Sequence, residues 1–268
     1  MEGLILRLLA LLFLICLPLP ASASADKFNA DMAKLLQTQG LQGAVWATLD
    51  SNAMLVGAAG VKNARTGKKM RPDDRVHVGS VAKTLLAAGV LRLVSQGRLS
   101  LETPVSVLLP DVAFENRWAD SAPVRLRHLL DHTSGLDDAR FFQVFSLAPG
   151  PDTPLADGFI GPDSLLRLRS RPGAHSSYSN MGYTLLGRVI ESVTGERYES
   201  YLEAHLLRPL GMLESSFSFV TQAGPRGDPR LAMATLKTVP RTLPFPRTCV
   251  QRASSLAPRP TWENSRAS

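Results

Sequence analysis

The chain has 268 residues, 44% of them hydrophobic, 20% charged and 6% aromatic, with a formal net charge of +7. That length suits one large domain or two small ones, and the apolar fraction excludes a wholly disordered protein. Having only two cysteines, Cys16 and Cys249, excludes a disulfide-stapled scaffold, and a single long apolar run excludes a polytopic membrane protein.

In chain order that apolar run comes first. Leu8–Leu17 follows Arg7 and leads through Pro18 and Pro20 into Ala21-Ser22-Ala23-Ser24-Ala25. A basic residue, an apolar stretch of about ten residues and an A-x-A site predict a cleaved secretory signal, assigned to residues 1–23. The run falls short of the ~20 residues that span a bilayer, so no stable membrane span is expected after cleavage. A secreted or periplasmic location follows. Ile15 before Cys16 argues against lipidation, and cleavage leaves Cys249 without an intramolecular partner.

Residues 26–39 read as an amphipathic helix with Phe28, Met32, Leu35 and Leu36 on one side. Two strands, Ala44–Leu49 and Met54–Ala59, are predicted around the turn residues Asp50-Ser51-Asn52. A polar loop, Lys62–Asp74, leads to Ser80 and a helix over 81–96, closed by Gly97. Further helices are predicted over Arg125–Asp131, Pro162–Arg169, Met181–Val193 and Tyr198–Leu207. No internal repeat occurs. From Gln222 onward the periodicity fades, and the stretch holds seven prolines and eight basic residues against Asp228 and Glu263. Six of the seven net positive charges therefore lie in 222–268, a Pro-rich basic segment expected to be irregular and mobile. The basic charge describes this tail, and a nucleic-acid partner is not expected, because that would need a basic face on a folded element.

Ser80-Val81-Ala82-Lys83 puts a hydroxyl and an amine three apart at a helix start, on one face. The helix N-terminus favours developing negative charge, and a lysine partly desolvated beside apolar residues can take a serine proton. The pattern alone is weak, since Ser24-Ala25-Asp26-Lys27 also fits it. Tyr178-Ser179-Asn180 has two readings. A tyrosine hydroxyl can shuttle a proton and an asparagine amide can hold a substrate. Alternatively Asn180 is an N-cap and Tyr178 packs on the core. His128 and His132, four apart, invite a metal reading, but Leu129 stands where a metalloprotease helix needs Glu and no third ligand follows. Capping and turn roles are expected for Asp131–Gly135, and core or rim positions for Tyr183, Tyr198 and Tyr201. No G-x-S-x-G elbow occurs, which argues against an α/β-hydrolase.

The motifs gain meaning in combination. Gly79-Ser80-Val81-Ala82-Lys83, Gly97–Val105, Leu126–Leu136, Pro172-Gly173, Tyr178-Ser179-Asn180, Gly182–Gly187, Thr194-Gly195 and Pro209–Met212 occur in that order. Over about residues 27–217 the chain resembles the serine hydrolases comprising class C β-lactamases, low-molecular-weight penicillin-binding proteins and related esterases. The resemblance implies an α/β (α+β) fold of two lobes, an antiparallel sheet flanked by helices and a helical lobe across the cleft. It implies that Ser80 is the acylated nucleophile, Lys83 its base partner, Tyr178 a proton relay and Asn180 a substrate contact. The Ser80 N–H would supply half of an oxyanion hole. Lactam, D-amino-peptide and ester substrates, either small molecules or peptidoglycan peptides, share this machinery. No metal or organic cofactor is expected.

The family's third motif, Lys or His followed by a small residue and Gly, has no counterpart after Asn180. Lys237-Thr238 is followed by Val239-Pro240, and His205 by Leu206-Leu207. The domain is therefore expected to occupy 24–221 without its last sheet strands, leaving a marginal hairpin and uncovered apolar helix faces. A truncated or frame-shifted product, and with it a catalytically impaired remnant, is the alternative to an active hydrolase.

Overall fold

The computed structural model describes residues 21–49, 54–138, 152–159, 166–218, 220 and 227–233. The chain divides into two compact units, Met1–Asp74 with Ala232–Thr235, and Arg75–Leu231 with Leu236–Ser268. The apolar run of the predicted signal lies outside the described residues, as do Cys249 and Lys237-Thr238.

In the first unit, helix α1 (Ala21–Thr38) starts five residues before the predicted 26–39, within the small-residue stretch assigned to cleavage. Strand β1 (Gly43–Leu49) pairs antiparallel with β2 (Met54–Asn63), with Gly43 opposite Gly60 and Leu49 opposite Met54. A bulge between Val61 and Asn63 then lets β2 pair with β3 (Lys68–Lys69). Among the described residues the sheet has three strands in the order β1-β2-β3. The Trp46 indole N–H donates to Asn29 Oδ1 at 3.0 Å, tying α1 to β1. Lys62 and Asp74 form a buried ion pair, and the Arg71 N–H donates to the other carboxylate oxygen at 2.7 Å. Full pairing of both charges is what makes their burial tolerable.

The second unit is built around one helix. A 3₁₀ turn (Gly79–Val81) runs into α2 (Ala82–Ser95), followed by α3 (Val105–Leu108), α4 (Leu126–Leu130) and a second 3₁₀ turn (Leu155–Phe159). Then come α5 (Asn180–Thr194) and α6 (Tyr198–Leu202), which continues as a π-helical turn (Glu203–Leu207). Helices α2, α3, α4 and α6 all pack on α5. Met181, Leu185, Leu186, Val189 and Ile190 of α5 are buried almost completely, so both faces of this helix meet neighbours. On α2 the inward face carries Ala82, Leu86, Val90 and Leu93 at helical spacing.

One predicted helix is corrected. Residues 161–165 lie outside the described residues, and 166–169 are not helical. Arg167 bridges Glu115 and Leu168 bridges Leu136. Leu166 and Leu168 are buried while the Arg167 and Arg169 side chains are about two-thirds exposed (68% and 70%). The apolar spacing here is two, the period of a strand, and not the helical period assumed from composition. The short helix α3 was not foreseen. Within the Pro-rich stretch, Leu231 is buried and bridges Arg75, whose guanidinium donates to Asp228 at 2.9 Å and Glu214 at 3.1 Å. Among the described residues no helix is long and apolar enough to cross a membrane.

Candidate active site

Gly79 has φ +55 with nothing within 4 Å of where a Cβ would stand, so glycine is favoured there by backbone conformation and not by space. The turn it permits places Ser80 in the 3₁₀ turn just before α2 and Lys83 in the first turn of α2, three residues on and on the same face. Ser80 is exposed and Lys83 is only 6% exposed. The lysine ammonium donates to Asn180 Oδ1 at 2.8 Å and lies 3.5 Å from Ser80 Oγ. It also lies 4.9 Å and 5.6 Å from the ring centres of Tyr178 and Tyr183, within cation–π range. Ser80 Oγ and the Tyr178 hydroxyl are 2.6 Å apart, and either can donate. The four residues picked from sequence thus meet in one cluster, although the serine and tyrosine are 98 positions apart.

The alternative reading of Asn180 as an N-cap does not hold. Ser179 caps α5, its buried Oγ accepting the Gly182 N–H at 3.1 Å, and Asn180 is the first helical residue. The Asn180 side chain is thereby released for Lys83. Its orientation is forced: Lys83 only donates, so Oδ1 must face it, while Nδ2 donates to Asp138 Oδ2 at 3.0 Å. The Asn180 backbone N–H donates to Asp138 Oδ1 at 2.6 Å. Sequence reading missed Asp138, which stands in no motif.

His132 was noted only as a turn residue and metal candidate. It has φ +60, and its ring lies 4.6 Å from that of Tyr178 and 5.0 Å from that of Tyr183. Its Nδ1 accepts the Ser179 N–H at 3.2 Å and its carbonyl accepts the Ser177 N–H at 2.8 Å. His128 is buried, with Nδ1 accepting the Arg125 N–H at 3.1 Å. The two histidines therefore serve different backbone amides, and among the described residues no cluster of three or more potential ligands could hold a metal. The expected turn roles appear around them, with Asp131 Oδ1 accepting the Thr133 N–H at 3.0 Å.

Burial lowers the pKa of both imidazoles below the usual histidine value, with Arg127 adding to the effect at His128 and Lys83 at His132. Burial likewise raises the Tyr183 phenol, with Tyr178 and Asp131 adding. The Tyr183 hydroxyl donates to the Leu130 carbonyl at 3.0 Å. A cavity of about 670 Å³ lined by Arg75, Ser218, Val220 and residues 227–230 shares no residue with the Ser80 cluster.

A family model described as β-lactamase matches residues 28–255. The chain is 33% identical over 212 residues to esterase EstB of Burkholderia gladioli, covering 74% of this chain and 53% of the relative. It is 26% identical over 189 residues to the D-alanyl-D-alanine-carboxypeptidase/endopeptidase AmpH of Escherichia coli, covering 67% and 46%. The octameric penicillin-binding protein homologue from Pyrococcus abyssi shares the fold, with a TM-score of 0.69 at 24% identity over 88% of this chain and 54% of that one. The chain spans about half the length of these curated relatives. The ordered cluster on α2 and α5 and a match over most of the chain lead to one conclusion: the protein belongs to the β-lactamase family.

Proposed function

We propose that this chain is a serine hydrolase that forms an acyl-enzyme on Ser80 with ester, lactam or D-amino-peptide substrates. The observation that carries this reading is the 2.6 Å contact between Ser80 Oγ and the Tyr178 hydroxyl beside the buried Lys83 ammonium. Ser80 Oγ attacks the substrate carbonyl and loses its proton as the bond forms. Tyr178 is the nearest group to relay that proton onward to the leaving group. Lys83, 3.5 Å from Oγ, stabilises the developing alkoxide. To act instead as the base partner, Lys83 must be an uncharged amine when Oγ attacks, because an ammonium has no lone pair to take the proton. Helix α2 adds its N-terminal partial charge, and the Ser80 N–H provides one oxyanion donor. Water then hydrolyses the ester. An esterase and a D-alanyl-D-alanine carboxypeptidase among the relatives support acyl transfer to water and leave the leaving group open. The Arg7, Leu8–Leu17 and Ala21–Ala25 pattern supports action outside the cytoplasm on a small molecule or a peptidoglycan peptide.

A second reading is supported by the missing Lys/His-x-Gly motif. Were these residues to supply a single oxyanion donor, turnover would fall about 10²–10³-fold, giving a slow or pseudo-enzyme with the same nucleophile. The test is intact-mass analysis of the full chain after incubation with a fluorophosphonate and a labelled penicillin. A single adduct absent from Ser80→Ala is expected. A folded protein without an adduct to either probe would defeat the active reading and favour the second.

A further inference from the structure

We propose that His132 is a positioning residue that holds the Tyr178–Asn180 turn against Ser80 only while its imidazole is the neutral Nε2–H tautomer, so that its protonation sets the acid limb of reactivity at Ser80. The inference rests on the reading of Ser80 and Tyr178 as the reacting pair.

The geometry is specific. Among the described residues His132 is the one non-glycine with positive φ, a conformation that disfavours most side chains and persists only where the surroundings hold it. That conformation turns its carbonyl to the Ser177 N–H and its Nδ1 to the Ser179 N–H, bracketing Tyr178 from both sides in sequence. Tyr178 is 49% exposed, so few neighbours orient it, and the His132 ring at 4.6 Å is one of them. A nitrogen that accepts a backbone N–H carries no proton, which places the imidazole proton on Nε2. Protonating Nδ1 would set two N–H groups against each other and add a positive charge near the Lys83 ammonium.

The groups acting on this imidazole are Lys83 from α2, Asp131 from its own turn, Asp138 from the following loop, and Tyr178 and Tyr183 packed on its ring. Burial and Lys83 oppose protonation, while the two aspartates favour it, and the net direction is downward. The neutral clamp therefore persists through neutral pH and fails only as the pH falls through a folded value that lies below the usual histidine range.

The test uses the full chain and two variants that both tolerate positive φ. His132→Asn keeps an acceptor oxygen where Nδ1 stood but does not titrate, whereas His132→Gly keeps neither acceptor nor ring. The fluorophosphonate labelling rate at Ser80 is measured from about pH 5 to about pH 8.5, with circular dichroism as the check on folding. Expected results are an acid limb in the wild type, its loss or displacement to lower pH in His132→Asn, and a rate at pH 8 within about threefold of wild type. His132→Gly should lose about tenfold or more across the range while remaining folded. Nitrogen-15 NMR of the wild type should show the Nε2–H tautomer, with the Ser179 amide shifting at the same midpoint as the imidazole. An unchanged acid limb in His132→Asn, wild-type labelling by a folded His132→Gly, or a proton on Nδ1 at neutral pH would each overturn the proposal. Absence of labelling in the wild type at every pH, with the Nε2–H tautomer present, would defeat the reading of the reacting pair and the acid limb with it. The clamp on the Ser179 amide would then stand on the NMR titration alone.

Discussion

The Asn180 amide sits between a donor and an acceptor, Lys83 on one side and Asp138 on the other. Neither neighbour can exchange its role, so the amide cannot rotate without placing like against like. Asp138→Ala removes the acceptor for both the Asn180 side chain and its backbone N–H. The fluorophosphonate labelling rate at Ser80 is expected to fall about tenfold, because small displacements of a positioning group are felt strongly in rate. Asp138→Asn keeps an acceptor for the backbone N–H but turns an amide toward Asn180 Nδ2, and it should fall between. Wild-type rates in both variants would show that Lys83 alone orients Asn180. At this scale the sequence exposed the reacting types, since Ser80, Lys83, Tyr178 and Asn180 stand in motifs. Asp138 was hidden because its partner is 42 positions away and its loop has no periodicity. His132 was legible as a turn residue, but its contact with the Ser179 amide was not, because spacing to His128 says nothing of a left-handed backbone that carries it off the helix.

Among the elements, the segment after α4 shows how a loop is made rigid enough to hold such groups. Gly135 has φ +77, and a Cβ there would stand 2.1 Å from the Ser170 carbonyl oxygen. Around it, Arg169 donates to the Gly135 carbonyl at 2.8 Å and Gly173 to the Thr133 carbonyl at 2.8 Å, zipping two irregular strands together. Gly135→Ala must both strain the backbone and part these strands, and is expected to cost about 3 kcal/mol or more. A urea midpoint equal to wild type would show that the strands can separate freely. The predicted hairpin and five of the six predicted helices appear where periodicity put them, with ends differing by up to five residues. The exception, 162–169, lay where an alternating Leu-Arg pattern was read with the wrong period.

For the second unit as a whole, acid stability follows from histidines held neutral. His128 and His132 have folded pKa values below the usual one, so between folded and unfolded values the unfolded chain binds more protons. Their contribution is complete above about pH 6.5 and is lost as pH falls through the folded values. Glu214, held below the usual carboxylate range by its bonds to Arg230 and Arg75, loses its contribution only at lower pH, through its depressed folded value. The thermal midpoint is therefore expected to be flat from about pH 8 to about pH 6.5 and to fall by about pH 5. A midpoint that rises over that acid interval would refute the assignment. By itself, the sequence determined the family motifs, the helical and strand periods and the residue types able to react, because these depend on neighbours within a few positions. Tertiary structure alone decided that Ser179 and not Asn180 caps α5, that Asp138 aligns Asn180, and that His132 brackets Tyr178. It also decided that Leu231 and Asp228 return from the basic stretch to Arg75. Each of these depends on which distant backbone groups arrive within hydrogen-bond reach, and no local pattern encodes that.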